Sequence, residues 1–237
     1  MIFGVVADIH GNFEAMHAAM ARHPDVPFWL CVGDLASRAG AYPEPIAPLY
    51  WIKGNNDNFD AIESYVNGTL HTPNLHYIPN GTATRIGDLV VAGLGGTYAP
   101  SVYDTPAALL PRASGRRAKP GELPRDDRRR HFVREEVQAC LRLGHADVLL
   151  THEAARPLLV EPEGAPPGSR RLFVGKRPIN EVIAALRPRL HLCGHHHRFA
   201  AITAEGVPSI CVDRVSRSYL LVDRDTFAWQ KVDQVVA

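Results

Sequence analysis

Short apolar runs rich in β-branched residues recur along the chain, and nearly every one gives way abruptly to polar residues. Residues 2–7 read as a fully buried strand, because a strand covered on both faces shows a continuous apolar run instead of alternation. A polar turn follows, then a segment from Phe13 to Arg22 in which Phe13, Met16 and Met20 recur at helical spacing behind Asn12, a capping residue. Phe28–Val32 and Leu49–Lys53 repeat the buried-strand pattern and run into Gly33-Asp34 and Gly54-Asn55-Asn56-Asp57. Thr82–Ile86 and Leu89–Leu94, joined at Gly87-Asp88, predict a hairpin, and a helix is expected from about Arg130 to Leu143. Strand Asp147–Leu150 runs into Thr151-His152. After a helix near Ile179–Leu186, strand Leu190–Cys193 runs into Gly194-His195-His196-His197. Four more strands close the chain, at Ala200–Thr203, Ser209–Val212, Tyr219–Val222 and Phe227–Val232. Strands alternating with helices and then a run of strands predict α/β layers with mixed sheets.

Composition narrows the class. The chain has 237 residues, 46% hydrophobic and 22% charged, with 26 Lys+Arg against 25 Asp+Glu and 12 His. A formal charge of +1 excludes a dominantly basic nucleic-acid protein and an acidic disordered tail. Cys31, Cys140, Cys193 and Cys211 are widely spaced, three of them within apolar strand-like runs, which suits reduced buried thiols better than a disulfide framework. No apolar run approaches the roughly 20 residues of a membrane span, so the expectation is a soluble, cytoplasmic protein without a membrane partner. The Pro/Gly-rich stretches 38–48, 111–124 and 161–168 read as loops inside one domain spanning 1–237, with a basic surface insertion at about 104–130.

The polar strand ends carry the candidate chemistry: Asp8-Ile9-His10, Gly33-Asp34, Gly54-Asn55, Thr151-His152 and Gly194-His195-His196-His197. In open α/β sheets the ligand site lies beyond the carboxyl ends of the strands, so five such ends can converge. Two Asp, one Asn and four His form an oxygen and imidazole set without thiolate, suited to Mn, Fe, Zn, Ni or Co, with manganese the leading expectation. Seven side chains exceed the needs of one transition metal but supply two divalent ions if one carboxylate bridges, and a pair about 3.5–4 Å apart clamps both oxygens of a phosphoryl displacement. His195 and His197 alternate, so on an extended segment they point the same way while His196 points away, as an exposed or supporting residue.

In their order and spacing, these five blocks resemble the calcineurin-like metallophosphoesterases, whose pattern reads Asp-x-His, Gly-Asp, Gly-Asn-His-Asp/Glu, a lone His and Gly-His-x-His. The resemblance spans Asp8 to His197, about four fifths of the chain. It implies a four-layer αββα sandwich of two facing mixed sheets flanked by helices, with Asp8, His10, Asp34 and His197 on one metal and Asp34, Asn55, His152 and His195 on the other. It also implies water activated between the metals as the nucleophile for an ester of phosphoric acid, and so a hydrolase acting on a small phosphoester, a nucleotide or a nucleic acid. A fainter similarity to the RNA lariat debranching branch rests on Gly93 to Gly96, Tyr98, Tyr103-Asp104, Phe132-Val133-Arg134 and Thr151-His152-Glu153.

One departure shapes the expected activity. The family's third block carries His after Asn, a residue associated with leaving-group protonation, and here that position is Asn56. An amide donates a hydrogen bond but delivers no proton at neutral pH. A phosphodiesterase with strong dependence on the leaving group is therefore expected, with a broad phosphomonoesterase and a non-catalytic scaffold as alternatives. Asn55, Asn56 and Asp57 are the catalytic candidates, and Arg38, Asn55, His196 and Arg134 the substrate-contact candidates. His76 and His131 are possible substitute acids. Between Arg112 and Arg134, nine Lys/Arg stand against three acids, a local +6 that leaves the remainder near −5. This run is either a solvated face or a phosphate-contacting overhang.

Overall fold

The computed structural model describes residues 1–114, 121–161 and 173–234. Strands and helices alternate first, as β1 (Ile2–Val6), α1 (Phe13–Arg22), β2 (Trp29–Cys31), β3 (Leu49–Trp51), α2 (Phe59–Val66) and β4 (Leu75–Tyr77). The hairpin β5 (Thr82–Ile86) and β6 (Leu89–Leu94) is followed by two-residue β7 (Thr97–Tyr98) and its parallel partner β8 (His131–Phe132). Then come α3 (Arg134–Leu141), β9 (Val148–Thr151), a short pair β10 (Leu159–Val160) and β11 (Phe173–Val174), α4 (Arg177–Leu186) and β12 (Leu190–Cys193). The chain closes with β13 (Ala200–Ala204), β14 (Val207–Cys211), β15 (Ser218–Asp223) and β16 (Trp229–Asp233).

These strands form two six-stranded mixed sheets, ordered β16-β15-β1-β2-β3-β4 and β13-β14-β12-β9-β6-β5. In the first, β1 to β4 are parallel, β15 pairs antiparallel with β1 and β16 antiparallel with β15; in the second, β14, β12, β9 and β6 are parallel and β13 and β5 antiparallel to them. Alternate residues of each strand face opposite sides, and the packing follows that rule. Phe3, Val5, Leu30, Val148, Leu150, Leu190 and Leu192 meet in a core between the sheets. Val6, Trp29, Cys31 and Trp51 pack instead on Met16 and Met20 of α1 and Phe59 and Ile62 of α2. On the far side, Ala92, Leu94 and Leu149 pack on Val137 of α3 and Ile179, Val182 and Ile183 of α4. The result is the four-layer αββα sandwich.

Local chemistry accounts for the element ends. Asn12 caps α1 by accepting from the Ala15 amide at 3.1 Å. Asn58 caps α2, accepting from Ala61 N at 3.2 Å. The helix expected from Arg130 starts only at Arg134, because buried Lys53 draws the Arg129 and His131 carbonyls to its Nζ at 2.9 and 3.3 Å, and His131–Phe132 pair with β7. All four cysteines are buried and free. Among the described residues no helix is long and apolar enough to cross a membrane. The loop expected at 161–168 lies, apart from Glu161, outside the described residues.

Candidate metal centre

The parallel strands β1, β2, β3, β9 and β12 all deliver their carboxyl ends to one edge of the sandwich. Asp8 and His10 follow β1, Asp34 follows β2, Asn55 follows β3, His152 follows β9, and His195 and His197 follow β12. Because the sheets face each other, donors from both meet there. His10 Nε2 lies 3.0 Å from His197 Nε2 and 3.6 Å from Asp34 Oδ2, and His197 Nε2 lies 3.5 Å from Asp8 Oδ1. His152 Nε2 lies 2.9 Å from Asn55 Oδ1 and 3.6 Å from Asp34 Oδ2. Asp34 thus borders both groups of donors.

The backbone is bent to achieve this. Asp8, His10, Asp34, His195 and His197 all have positive φ, between 48° and 69°. Non-glycine residues occupy that region at a cost of about 1–3 kcal/mol each, and such strain persists where surrounding structure over-determines it. Two glycines leave room for the carboxylates: a Cβ on Gly54 would stand 2.0 Å from Asp34 Oδ1, and one on Gly194 2.8 Å from Asp8 Oδ2. The positive φ at His195 and His197 replaces the extended segment read from their alternation. As a result the two histidines diverge, His197 toward His10 and His195 toward His152, whose ring centroid is 5.1 Å away.

Two observations test whether these side chains suit divalent cations. His152 Nδ1 lies 2.8 Å from the Val32 carbonyl, which can only accept, so Nδ1 carries the proton. In the neutral ring Nε2 is then a lone pair, and it faces an amide oxygen and a carboxylate. Second, Asp8 Oδ1 is buried without a hydrogen-bond partner, while Asp8 Oδ2 accepts from the His195 amide at 2.9 Å. Buried acceptors facing one another suit a divalent cation between them; without one, and although burial opposes it, Asp34 and Asp8 raise His152 above the usual imidazole range, so that a proton on Nε2 takes the cation's place. Burial would raise the Asp34 carboxyl, but His152, His10 and two hydrogen bonds from Asn56 hold it down at about 2. Burial and the neighbouring His152 push His195 down to about 4.

Asn56 and Asp57 have defined partners. Asn56 donates from its backbone N to Asp34 Oδ1 and from Nδ2 to Asp34 Oδ2, both at 2.7 Å. Asp57 is buried and accepts from four backbone amides, those of Asp34, Leu35, Ala36 and Gly54, at 2.6–3.1 Å. Its carboxylate therefore clasps the loops after β2 and β3 together.

A cavity of ≈ 480 Å³ opens over this edge, lined by Asp8, His10, Asn55, Asn56 and His197 together with Arg38, Arg125, Arg130 and Arg214. Glu122, Leu123 and Pro124 complete one side of the cavity. Arg38 is largely exposed and lies 3.9 Å from Glu122. The other substrate-contact candidates lie elsewhere. Arg134 stacks over Tyr103 and donates to Asp104, outside the cavity lining. His196 is 2% exposed and faces Glu153 at 3.5 Å and the Phe173 ring, away from the cavity, because the bent 195–197 backbone turns it inward. Neither substitute acid lines the cavity: His76 stacks on Tyr50, and His131 is bonded to Thr97 Oγ1 at 3.0 Å and held down to about 4 by burial and Arg130.

Of the nine cations in the basic run, Arg116, Arg117 and Lys119 lie outside the described residues. Arg112 and Arg129 pair with Asp60 and Glu63 on α2, and Arg129 also with Asp127. Only Arg125 and Arg130 of the described members reach the cavity. No spacing rule separates them from their neighbours, so the sequence could not single them out.

Solved structures share this fold. TT1561 of Thermus thermophilus superposes with a TM-score of 0.66 at 14% identity, covering 98% of both chains. GAP50, the anchor in the inner membrane complex of Plasmodium, superposes with a TM-score of 0.54 at 12% identity over 98% of this chain and 84% of its own. At these identities the likeness is one of fold. No curated protein matches the chain. Residues 1–199 match the profile of the calcineurin-like phosphoesterases. With that match over most of its length, on a sandwich whose two sheets bring their metal-competent ends together, the chain belongs to the calcineurin-like phosphoesterase family.

Proposed function

We propose that this protein is a phosphodiesterase that hydrolyses phosphodiester or nucleotide-type substrates with two divalent cations. Asp8, His10, Asp34 and His197 would hold one, and Asp34, Asn55, His152 and His195 the other. The observation that carries the reading is the convergence of metal-competent atoms at Asp34: His152 Nε2, Asn55 Oδ1 and Asp34 Oδ2 meet beneath a cavity rich in arginine. When bound, the cations supply Lewis-acid stabilisation of a phosphoryl oxygen and activation of water, the established chemistry of paired metals. The remaining work belongs to the chain. Asp57 fixes the loops that present Asp34 and Asn55, the Val32 carbonyl fixes the tautomer of His152, and cavity arginines attract and orient the phosphate.

Preference for diesters rests on Asn56. Its amide donor is already engaged with Asp34 and cannot transfer a proton, so substrates whose leaving group departs readily as an anion are favoured. The manganese-loaded protein should hydrolyse bis-p-nitrophenyl phosphate faster than p-nitrophenyl phosphate, and a chelator should stop both. Faster turnover of the monoester would move the assignment to a phosphomonoesterase. No turnover of either, with metal bound, would indicate a scaffold.

A further inference from the structure

Resting on the phosphodiesterase reading, we propose that Arg130 is the leaving-group residue of this site, its guanidinium taking the charge on the departing oxygen where an acid would have protonated it. Arg130 lines the same cavity as Asp8, His10 and Asn56, and its Nη2 donates to Asn56 Oδ1 at 3.4 Å. That places the guanidinium beside the residue that stands where the family has its His.

The segment is built to hold Arg130 there. Lys53, buried against the sheet, takes the carbonyls on either side of it, those of Arg129 and His131. Arg129 is tied to Asp127, Asp60 and Glu63. Gly96, with φ +86°, lets its loop close on the Arg130 carbonyl, where a Cβ would stand at 2.7 Å. Arg130 Nη1 donates to the Arg125 carbonyl at 2.5 Å. Unlike Arg112, Arg129 and Arg134, Arg130 has no carboxylate at ion-pair distance among the described residues. A guanidinium carries five N–H donors, so donors remain for a substrate oxygen, and no direct ion pair occupies them.

The step balances without a proton donor in the protein. The oxygen of water forms the new P–O bond and its proton passes to solvent. The P–O bond to the leaving group breaks, and its electron pair goes to that oxygen. Arg130 keeps its protons and stabilises the anion by hydrogen bonding and charge until solvent protonates it.

The test is a series of methyl aryl phosphodiesters, from p-nitrophenyl to phenyl, with the manganese-loaded wild type, Arg130→Gln and Arg130→Lys. Arg130→Gln should lose about 10²-fold in kcat on the phenyl ester, the scale of one charge-stabilising donor, and less than about fivefold on the p-nitrophenyl ester. Arg130→Lys should fall between, with all three proteins melting at the same temperature. A loss equal across the series, or no loss, overturns the assignment; it would make Arg130 a ground-state or structural contact. If the glutamine variant melts early, the slope of the lysine variant decides: a steeper slope than wild type supports the proposal, and an unchanged slope overturns it. A wild type with no turnover of any ester overturns the phosphodiesterase reading itself, and this proposal with it.

Discussion

The two groups of metal-competent side chains that meet at Asp34 differ in how the fold holds them. On one side His152 is fully buried, with its Nδ1 hydrogen bonded to Val32 and its Nε2 aimed at Asn55 and Asp34. On the other, His10 and His197 remain 29% and 20% exposed at the cavity, and their Nε2 atoms face each other at 3.0 Å. His152 is oriented by the backbone before any ligand arrives. The outer half borders water, and its geometry is completed by whatever lies between the two rings. Preorganisation lowers the cost of binding, so the buried half should be the tighter site and the outer half the exchangeable one.

The change that should erase this contrast altogether is Asp34→Asn, since Asp34 borders both halves. Activity should fall by more than about 10³-fold, exceeding the loss of a single stabilising donor, and elemental analysis should find depleted metal. Retained turnover would refute the bridging role.

A finer cut separates the halves. In a calorimetric manganese titration the wild type should show two phases. His10→Gln should lose the weaker and keep the tighter, while His152→Gln should lose the tighter, with an affinity loss of at least about 10-fold. The reverse pattern would show that burial does not set the order.

The smallest effect lies behind the site. His191 on β12 is fully buried between Thr151 Oγ1 at 2.8 Å and Ser209 Oγ at 3.1 Å, and burial pushes it down to about 3. Its unfolded value is about 6.5, so between those values the unfolded chain binds the proton and the folded one does not. Stability associated with His191 is therefore complete above pH 6.5 and declines as pH falls below it. Thermal unfolding of the chelator-treated protein from pH 7.5 to 4.5 should show a shallower acid decline in His191→Gln than in wild type. Parallel declines would assign the acid sensitivity to other groups.

Legibility in the sequence tracks the strength of the apolar signal. β1, α1, β6 and β12 are legible almost to the residue, because each buries a continuous or periodic set of side chains, and β5, which buries only Ile86, is legible through the Gly87-Asp88 turn that joins it to β6. α2 and β4 are not: α2 buries only Phe59 and Ile62 of its eight residues, and β4 only Leu75 of three, too few to form a period. The α3 start is displaced for a different reason. Lys53, distant in sequence, captures the carbonyls that would have begun the helix. Within the site, the residues themselves stand out as polar ends of buried strands, but the inward turn of His196 and the withdrawal of Arg134 to Asp104 depend on backbone bends and partners far along the chain.

What the sequence determined by itself, then, is the alternation of layers and the set of groups at the strand ends, because burial pattern and strand termination are local properties of the chain. Which of those groups face one another was decided by the tertiary structure. Packing two sheets face to face joins side chains as far apart as His10 and His197, and Lys53 selects Arg130 from a run of otherwise equivalent arginines. Both are contacts between segments whose spacing in sequence carries no record of their distance in space.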